Sequence, residues 1–299
     1  MTLYHYTNSN GFLGITNKAN DKLNLWFTNY KYLNDSSEGE ELLYIYKEVI
    51  DEMAAKEELE EPIYAELNTM RFNDKHIYAY TTTEEDEPLT HIMREEDDAF
   101  ICCFSKNGDS LDMWRYYSKN DTGYAIGFFD FVLQHEALIR PFSPDEKRVG
   151  KFLWRDVIYD NDEKKKTIYN LINNKIKSLK KHGLPLEKNL FNTILFELQQ
   201  YQFFFKHECF KSEEEVRCVL TIPKAPEKIA TKEYFNVLYR AGNGTIIPYV
   251  VVSFPRKSIY SVTVSPTAPE SAEETIKEYL STYTSHSVII ERSKLPMRF

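Results

Sequence analysis

The sequence predicts an α+β chain, a single domain over residues 1–299 with a helical insertion at about 162–208. Three observations predict it. Short apolar or alternating runs bounded by turn residues fill the first 160 residues and return after 213. Helical spacing of apolar residues concentrates between 162 and 208. No Ser/Gly/Pro linker, internal repeat or low-complexity segment divides the chain.

The elements follow in order. Leu3-Tyr4-His5-Tyr6-Thr7 reads as a strand, and Leu25-Trp26-Phe27-Thr28 as a second, running into the turn residues Asn34-Asp35-Ser36-Ser37. Ser37 with Glu40 fits a capping box for a helix over about 38–59, with Leu42, Leu43, Ile45, Tyr46, Val49 and Ile50 at helical spacing. Pro62 opens another helix through about Phe72. The acidic stretch 84–98 reads as a solvated loop. Phe100 to Ser105 is a continuous apolar run, as in a buried strand. Ser110 caps a helix from Leu111 to Ser118, and strands follow at 123–128 and 152–159. Two helices separated near Gly183-Leu184-Pro185 fill 162–208. Strands at 213–222, 234–240, 246–254 and 258–265, a helix over about 269–283 and a strand at 286–292 complete the chain.

Composition excludes several classes. The chain has 37 Lys+Arg against 46 Asp+Glu, a net charge of −9, which disfavours nucleic-acid binding by the whole surface. No apolar run approaches the ~20 residues that span a bilayer, and the first residues lack the basic and apolar regions of a signal peptide. The expectation is a cytoplasmic protein without membrane contact. Its four cysteines read as reduced, buried thiols rather than a disulfide framework. Aromatic residues reach 14%, with 21 Tyr and 19 Phe, which supplies a Tyr-rich core or rings to stack on a planar ligand.

Common enzyme signatures are absent: no phosphate loop, nucleophile elbow or His-Glu-x-x-His pair. His207-Glu208-Cys209 is too compact for zinc, so no metal is expected. The lysines at 164–166, 175, 177, 180, 181 and 188 form one basic patch, either a solvated helix face or a local polyanion contact. On the first strand, His5 and Thr7 share a face and Tyr6 points the other way. Trp114 and Tyr117, three apart on a helix, form one aromatic face. In Lys211-Ser212-Glu213-Glu214-Glu215-Val216-Arg217, a strand aligns Glu213, Glu215 and Arg217 on one face. Such a row is costly to bury. Arg217 offsets one carboxylate and leaves a second for chemistry, unless the row is a structural charge ladder.

These islands together resemble the bacterial family catalogued as domain of unknown function 2971. The resemblance rests on Leu3 to Thr7, Phe27-Thr28 to Leu33-Asn34-Asp35, Cys103-Phe104-Ser105 before Met113-Trp114, Gly123 to Phe128, and Glu213-x-Glu215-x-Arg217. Its pattern expects an aromatic residue just upstream of the last row, where this chain has Lys211-Ser212. That family in turn looks like a distant relative of the ADP-ribosyltransferase fold, a split, mostly antiparallel β core gripping NAD.

The resemblance implies an NAD-cleaving or NAD-binding activity, with an unknown acceptor (protein or nucleic acid), of a kind that suits a bacterial toxin or phage-defence effector. It makes Glu215 the catalytic carboxylate, assisted by Glu213, and His5 the NAD-binding imidazole. Tyr6, Thr7, Thr28, Trp114, Tyr117 and Arg217 complete the dinucleotide-binding set. Trp26, Tyr117 or Tyr124 would sandwich the nicotinamide. On this reading Glu215→Gln abolishes NAD turnover and leaves the melting temperature nearly unchanged, and His5 and Glu215 line one cleft. Two rivals stand beside it. One is a non-enzymatic nucleotide- or peptide-binding module whose Glu-x-Glu-x-Arg row is structural. The other is an effector that contacts nucleic acid through the lysine-rich helices.

Overall fold

The computed structural model describes residues 1–16, 22–33, 40–73, 76–79, 98–118, 122–135, 151–183, 185–186, 189–222, 237–242 and 244–296. The capping box at Ser37, the turn at 34–37 and the acidic stretch up to 97 lie outside these residues.

The fold is built around β5, Asp98–Ser105. Its run Phe100-Ile101-Cys102-Cys103-Phe104 is apolar on both faces because it is covered on both. One edge of β5 pairs antiparallel with β8 (Glu215–Ile222) over its whole length, from Asp98↔Ile222 to Ser105↔Glu215, and β8 pairs on with β7 (Lys151–Asp156). The other edge is shared by two strands. β1 (Thr2–Asn8) meets it at Tyr4↔Ser105, and β2 (Lys22–Asn29) at Thr28↔Ile101 and Asn29↔Phe100. Between these contacts, at Cys102 to Phe104, β1 and β2 part and the sheet forks.

Beyond β1 the order runs β6 (Gly123–Phe129), β11 (Ile259–Val264), β12 (Ile289–Arg292); beyond β2 it runs β10 (Thr245–Pro255), β9 (Leu238–Gly242). Among the described residues the sheet has ten strands and is largely antiparallel, β11–β12 being a parallel pair. A separate hairpin joins β3 (Met70–Asn73) to β4 (His76–Ala79).

Strand alternation divides the side chains between two faces. On one, Leu3, Phe27, Phe104, Phe128, Val216 and Val252 pack with helices α1 (Ser9–Ile15), α5 (Asp130–His135) and α8 (Ala272–Ser281) into the main core. On the other, Ile101 and Val219 pack with Tyr30, Phe203 and Phe204. Tyr6 packs there with Met113 and Trp114 of α4 (Leu111–Tyr117).

A second core is built mainly from helices: α2 (Glu40–Ala55), α3 (Glu61–Leu67), α6 (Asn161–Lys181) and α7 (Asn189–Tyr201), with Leu59 and Phe205 added from outside them. The two helices expected in 162–208 are therefore present, but they share their apolar faces with the helices of residues 40–67. No helix among the described residues is long and apolar enough to cross a membrane.

Several boundaries differ from the sequence reading. The helix at Pro62 ends at Leu67, and Met70–Asn73 is strand; pairing with β4 gives that backbone partners the short helix could not extend to. α5 was not expected. Ser110 precedes α4 without a capping side-chain bond. β8 begins at Glu215, because Glu214 adopts a left-handed conformation, φ 45°. β9 starts at Leu238, residues 234–236 lying outside the described set.

The lysine patch is partly spent within the fold. Lys164 is fully buried and donates to Glu41 Oε1 at 2.5 Å and to the Lys206 carbonyl at 2.8 Å. Lys165 pairs with Glu48 and Glu52, and Lys175 with Glu197.

Candidate functional site

The start of β8 carries a cluster of charges that the sequence alone would place in water. Arg217 is 1% exposed and Glu215 5%. Two residues apart on one strand, they share a face. Arg217 Nε donates to Glu215 Oε1 at 2.9 Å and Nη2 to Oε2 at 3.1 Å, a two-pronged pair, while Nη1 donates to the Phe203 carbonyl at 2.8 Å.

Lys206 reaches the cluster from the segment after α7. Its Nζ donates to Glu215 Oε2 at 3.1 Å and to Glu213 Oε2 at 2.5 Å. The Cys103 thiol of β5 also donates to the Glu215 carboxylate. The Glu215 backbone N–H donates to the Tyr159 hydroxyl at 3.0 Å. Glu213 is not on the strand: it closes the 3-10 turn Glu208–Glu213, and left-handed Glu214 lets it join the cluster through Lys206.

The two carboxylates are driven apart. Burial alone would push Glu215 up, but Arg217 and then Lys206 overcome it and hold the group at about 2. Burial lifts Glu213 above its ordinary value, Lys206 notwithstanding. Lys206 is raised, its own burial being outweighed by Glu215 and Glu213. Two cations balance two anions, with Glu215 a fixed anion and Glu213 the carboxyl nearer to exchanging a proton.

Tyr117 stands over this cluster. It keeps 40% of its surface exposed. Burial of its hydroxyl end raises the phenol pKa, and Cys103, Glu215 and Glu213 add to that against Lys206, which lowers it.

The other expected site residues separate. The registers Tyr4↔Ser105 and Ser105↔Glu215 put Tyr4 and Glu215 on one face. His5, the next residue, points to the other, with its ring edge-on to Phe104 at 5.8 Å. The expected confrontation of His5 and Glu215 across one cleft is therefore not what the strands allow. His5 sits at the fork, where its Nδ1 lies 2.9 Å from the Cys103 carbonyl. A carbonyl only accepts, so Nδ1 carries the proton and Nε2 is the acceptor. Burial lowers the imidazole pKa, and Arg240 of β9 adds to that against the Cys103 carbonyl. His5 is thus a neutral acceptor toward any ligand.

Trp114 is 1% exposed, packed edge-on to Tyr6 at 4.8 Å, and its indole donates to Asp109 at 2.8 Å. It is core, not a ligand wall, because its face is used against β1. Tyr6 is 3% exposed; its hydroxyl donates to the Asn107 carbonyl and accepts from the Ser110 N–H, which pins the β5–α4 loop. Thr7 faces α1, where its Oγ1 would lie 1.9 Å from a Cβ at Gly11. Tyr124 packs on Phe12 in the main core. Thr28 lies on the Glu215 face and accepts from Arg240. His207 caps its own turn, its Nδ1 accepting from the Cys209 N–H at 3.2 Å.

Residues 113–218 match the model of a family described as protein of unknown function (DUF2971). The match to DUF2971 begins at Met113 in α4 and ends at Cys218 in β8. It therefore includes Tyr117, Tyr159, Lys206, Glu213, Glu215 and Arg217, and not His5 or Thr28. No curated protein and no solved structure matches the chain.

Sequence reasoning missed Lys206, Tyr159, Cys103 and Arg240. Lys206 had a signal: a lone cation at the end of an aromatic run, seven residues before Glu213. The aromatic residue wanted upstream of the acidic row also exists, one position earlier than looked for. Phe210 lies beneath Lys206 Nζ, 4.7 Å from the ring centre.

Proposed function

We propose that the protein binds a pyridine dinucleotide on the face of the sheet that carries Tyr117, and that Glu213 is the carboxylate that works on it, in ADP-ribosyl transfer or a related NAD cleavage. One observation carries this reading: of two carboxylates joined through Lys206, Glu215 has both oxygens bonded by Arg217 and Lys206 while Glu213 has one oxygen on Lys206, an arrangement that lowers Glu215 and leaves Glu213 raised by burial. Such splitting separates a proton-exchanging carboxyl from a fixed anion.

Breaking the nicotinamide–ribose bond builds positive charge at the ribosyl carbon, as in glycoside hydrolysis. A carboxylate beside that carbon stabilises the charge. Glu215 has both oxygens engaged by Arg217 and Lys206, so its part is to fix the cluster. Glu213 has one oxygen on Lys206, and its other oxygen accepts no hydrogen bond among the described residues. Tyr117, 40% exposed, offers the adjoining ring.

Calorimetric titration of NAD into the full chain, followed by release of nicotinamide, tests the reading. Binding with turnover that falls at least about 100-fold in Glu213→Gln supports it. No binding of NAD overturns it. The second reading, a non-enzymatic binding module, draws on the saturated Glu215–Arg217 pair, which already has a structural task. NAD binding with no nicotinamide release, in wild type as in Glu213→Gln, selects that reading.

A further inference from the structure

We propose that Arg240 is the anion-binding cation of the β1–β2 fork, and that it takes a phosphate of a nucleoside diphosphate. The proposal deepens the dinucleotide reading by naming the residue that holds the ligand's diphosphate, and it rests on different residues.

Arg240 is held but not neutralised. Its Nη2 donates to Thr28 Oγ1 at 2.9 Å, and its guanidinium lies over the Trp26 ring, 5.5 Å from the centre. Trp26 in turn packs on Tyr249, ring centres 4.7 Å apart. These neighbours fix the direction of the planar cation and supply no negative charge. Its Nε is buried without a hydrogen-bond partner, and among the described residues no carboxylate pairs with it. Arg217 and Arg292 differ: each has a glutamate, Glu215 and Glu273. A guanidinium partly withdrawn from water, with its Nε buried and no anion, is unfavourable, and an arriving phosphate offsets that through paired N–H···O bonds.

The position suits the ligand class. Continuing the register Thr28↔Ile101 would set Trp26 opposite Cys103, where the strands have parted. Thr28, Trp26, Cys103 and Glu215 share one face by alternation. Two strand spacings, roughly 10 Å, separate β8 from β2, over whose Thr28 and Trp26 the Arg240 guanidinium is held. Trp26 is 40% exposed beside the cation and offers a stacking surface for a base. His5, neutral at the fork, adds no competing charge.

The test titrates ADP and inorganic pyrophosphate into the full chain by calorimetry, with Arg240→Gln, Arg240→Lys and Trp26→Leu. The proposal expects Arg240→Gln to weaken both ligands about 10- to 100-fold, and Arg240→Lys to lose less. Trp26→Leu should weaken ADP and spare pyrophosphate. Without ligand, the Arg240→Gln melting temperature should be nearly unchanged, since a half-buried cation without an anionic partner among the described residues is removed. Should Arg240→Gln unfold, the Arg240→Lys and Trp26→Leu titrations still decide.

Wild-type protein that binds neither ligand, or variants that bind ADP as wild type does, overturn the proposal. Loss of pyrophosphate binding with ADP retained in Arg240→Gln also overturns it, because the site then holds a free anion only. The two readings fail separately. ADP binding that depends on Arg240 in a protein that ignores NAD sustains the fork site and sinks the NAD reading. NAD turnover with an unchanged KM in Arg240→Gln does the reverse.

Discussion

At the scale of single residues, Glu215 is the group on which most depends. It is 5% exposed, and its carboxylate answers Arg217 and Lys206, 1% and 7% exposed. Glu215→Gln leaves two buried cations with one anion, Glu213 beside Lys206, and removal of one partner from a buried pair costs about 3–5 kcal/mol. We therefore expect a large drop in the urea midpoint at pH 7, not the unchanged melting temperature that the sequence reading implied. A midpoint within experimental error of wild type would refute the buried pair. Glu213→Gln should be far milder, because among the described residues Glu213 is bonded to Lys206 alone and its charged form is already disfavoured. Tyr159→Phe should cost about 1–3 kcal/mol, since it strands the buried Glu215 N–H that the hydroxyl now accepts; equilibrium unfolding measures it.

At the scale of elements, the site depends on how the helical layer meets the sheet. Lys164 on α6 is fully buried and donates to the Lys206 carbonyl and to Glu41 on α2. One side chain thus ties α6, α2 and the segment that delivers Lys206. Lys164→Met keeps the apolar stem and removes the donor. It should destabilise by about 1–3 kcal/mol through the stranded carbonyl, and faster hydrogen exchange should appear around 203–208 rather than across the sheet. Uniform exchange changes would mean that Lys164 does not position that segment. The same contact explains why the basic patch is a weaker polyanion surface than its lysine count suggests: Lys164, Lys165 and Lys175 already have acidic partners.

At the scale of the whole molecule, acid stability follows from the cluster. The folded pKa of Glu215, about 2, lies below the ordinary carboxylate value. Its contribution is therefore present above pH ~4.5 and is lost as pH falls toward about 2. Glu213, raised by burial, has the opposite sign: it favours the folded state below the ordinary value and less so as pH rises. The net slope of stability below pH ~4.5 should flatten in Glu215→Gln, measured as urea unfolding against pH; an unchanged slope would place the acid-labile group elsewhere.

The strands and helices were legible because apolar periodicity is a local property. Phe100 to Phe104 announced the central strand, and the break at Gly183-Leu184-Pro185 separated two helices. The Glu-x-Glu-x-Arg row was legible as charge that needs a reason. Its neighbours were not, since Lys206, Cys103 and Tyr159 reach it through chain reversals and a strand pairing that no local pattern encodes.

By itself the sequence determined the α+β class, most elements and the acidic row, all fixed by short-range spacing. Only the tertiary structure decided that His5 turns away from Glu215, that Trp114 is core, and that α6 and α7 share a core with α2 and α3. The physical reason is register: a strand's side chains alternate, so which two distant residues meet depends on how strands pair and where the sheet forks.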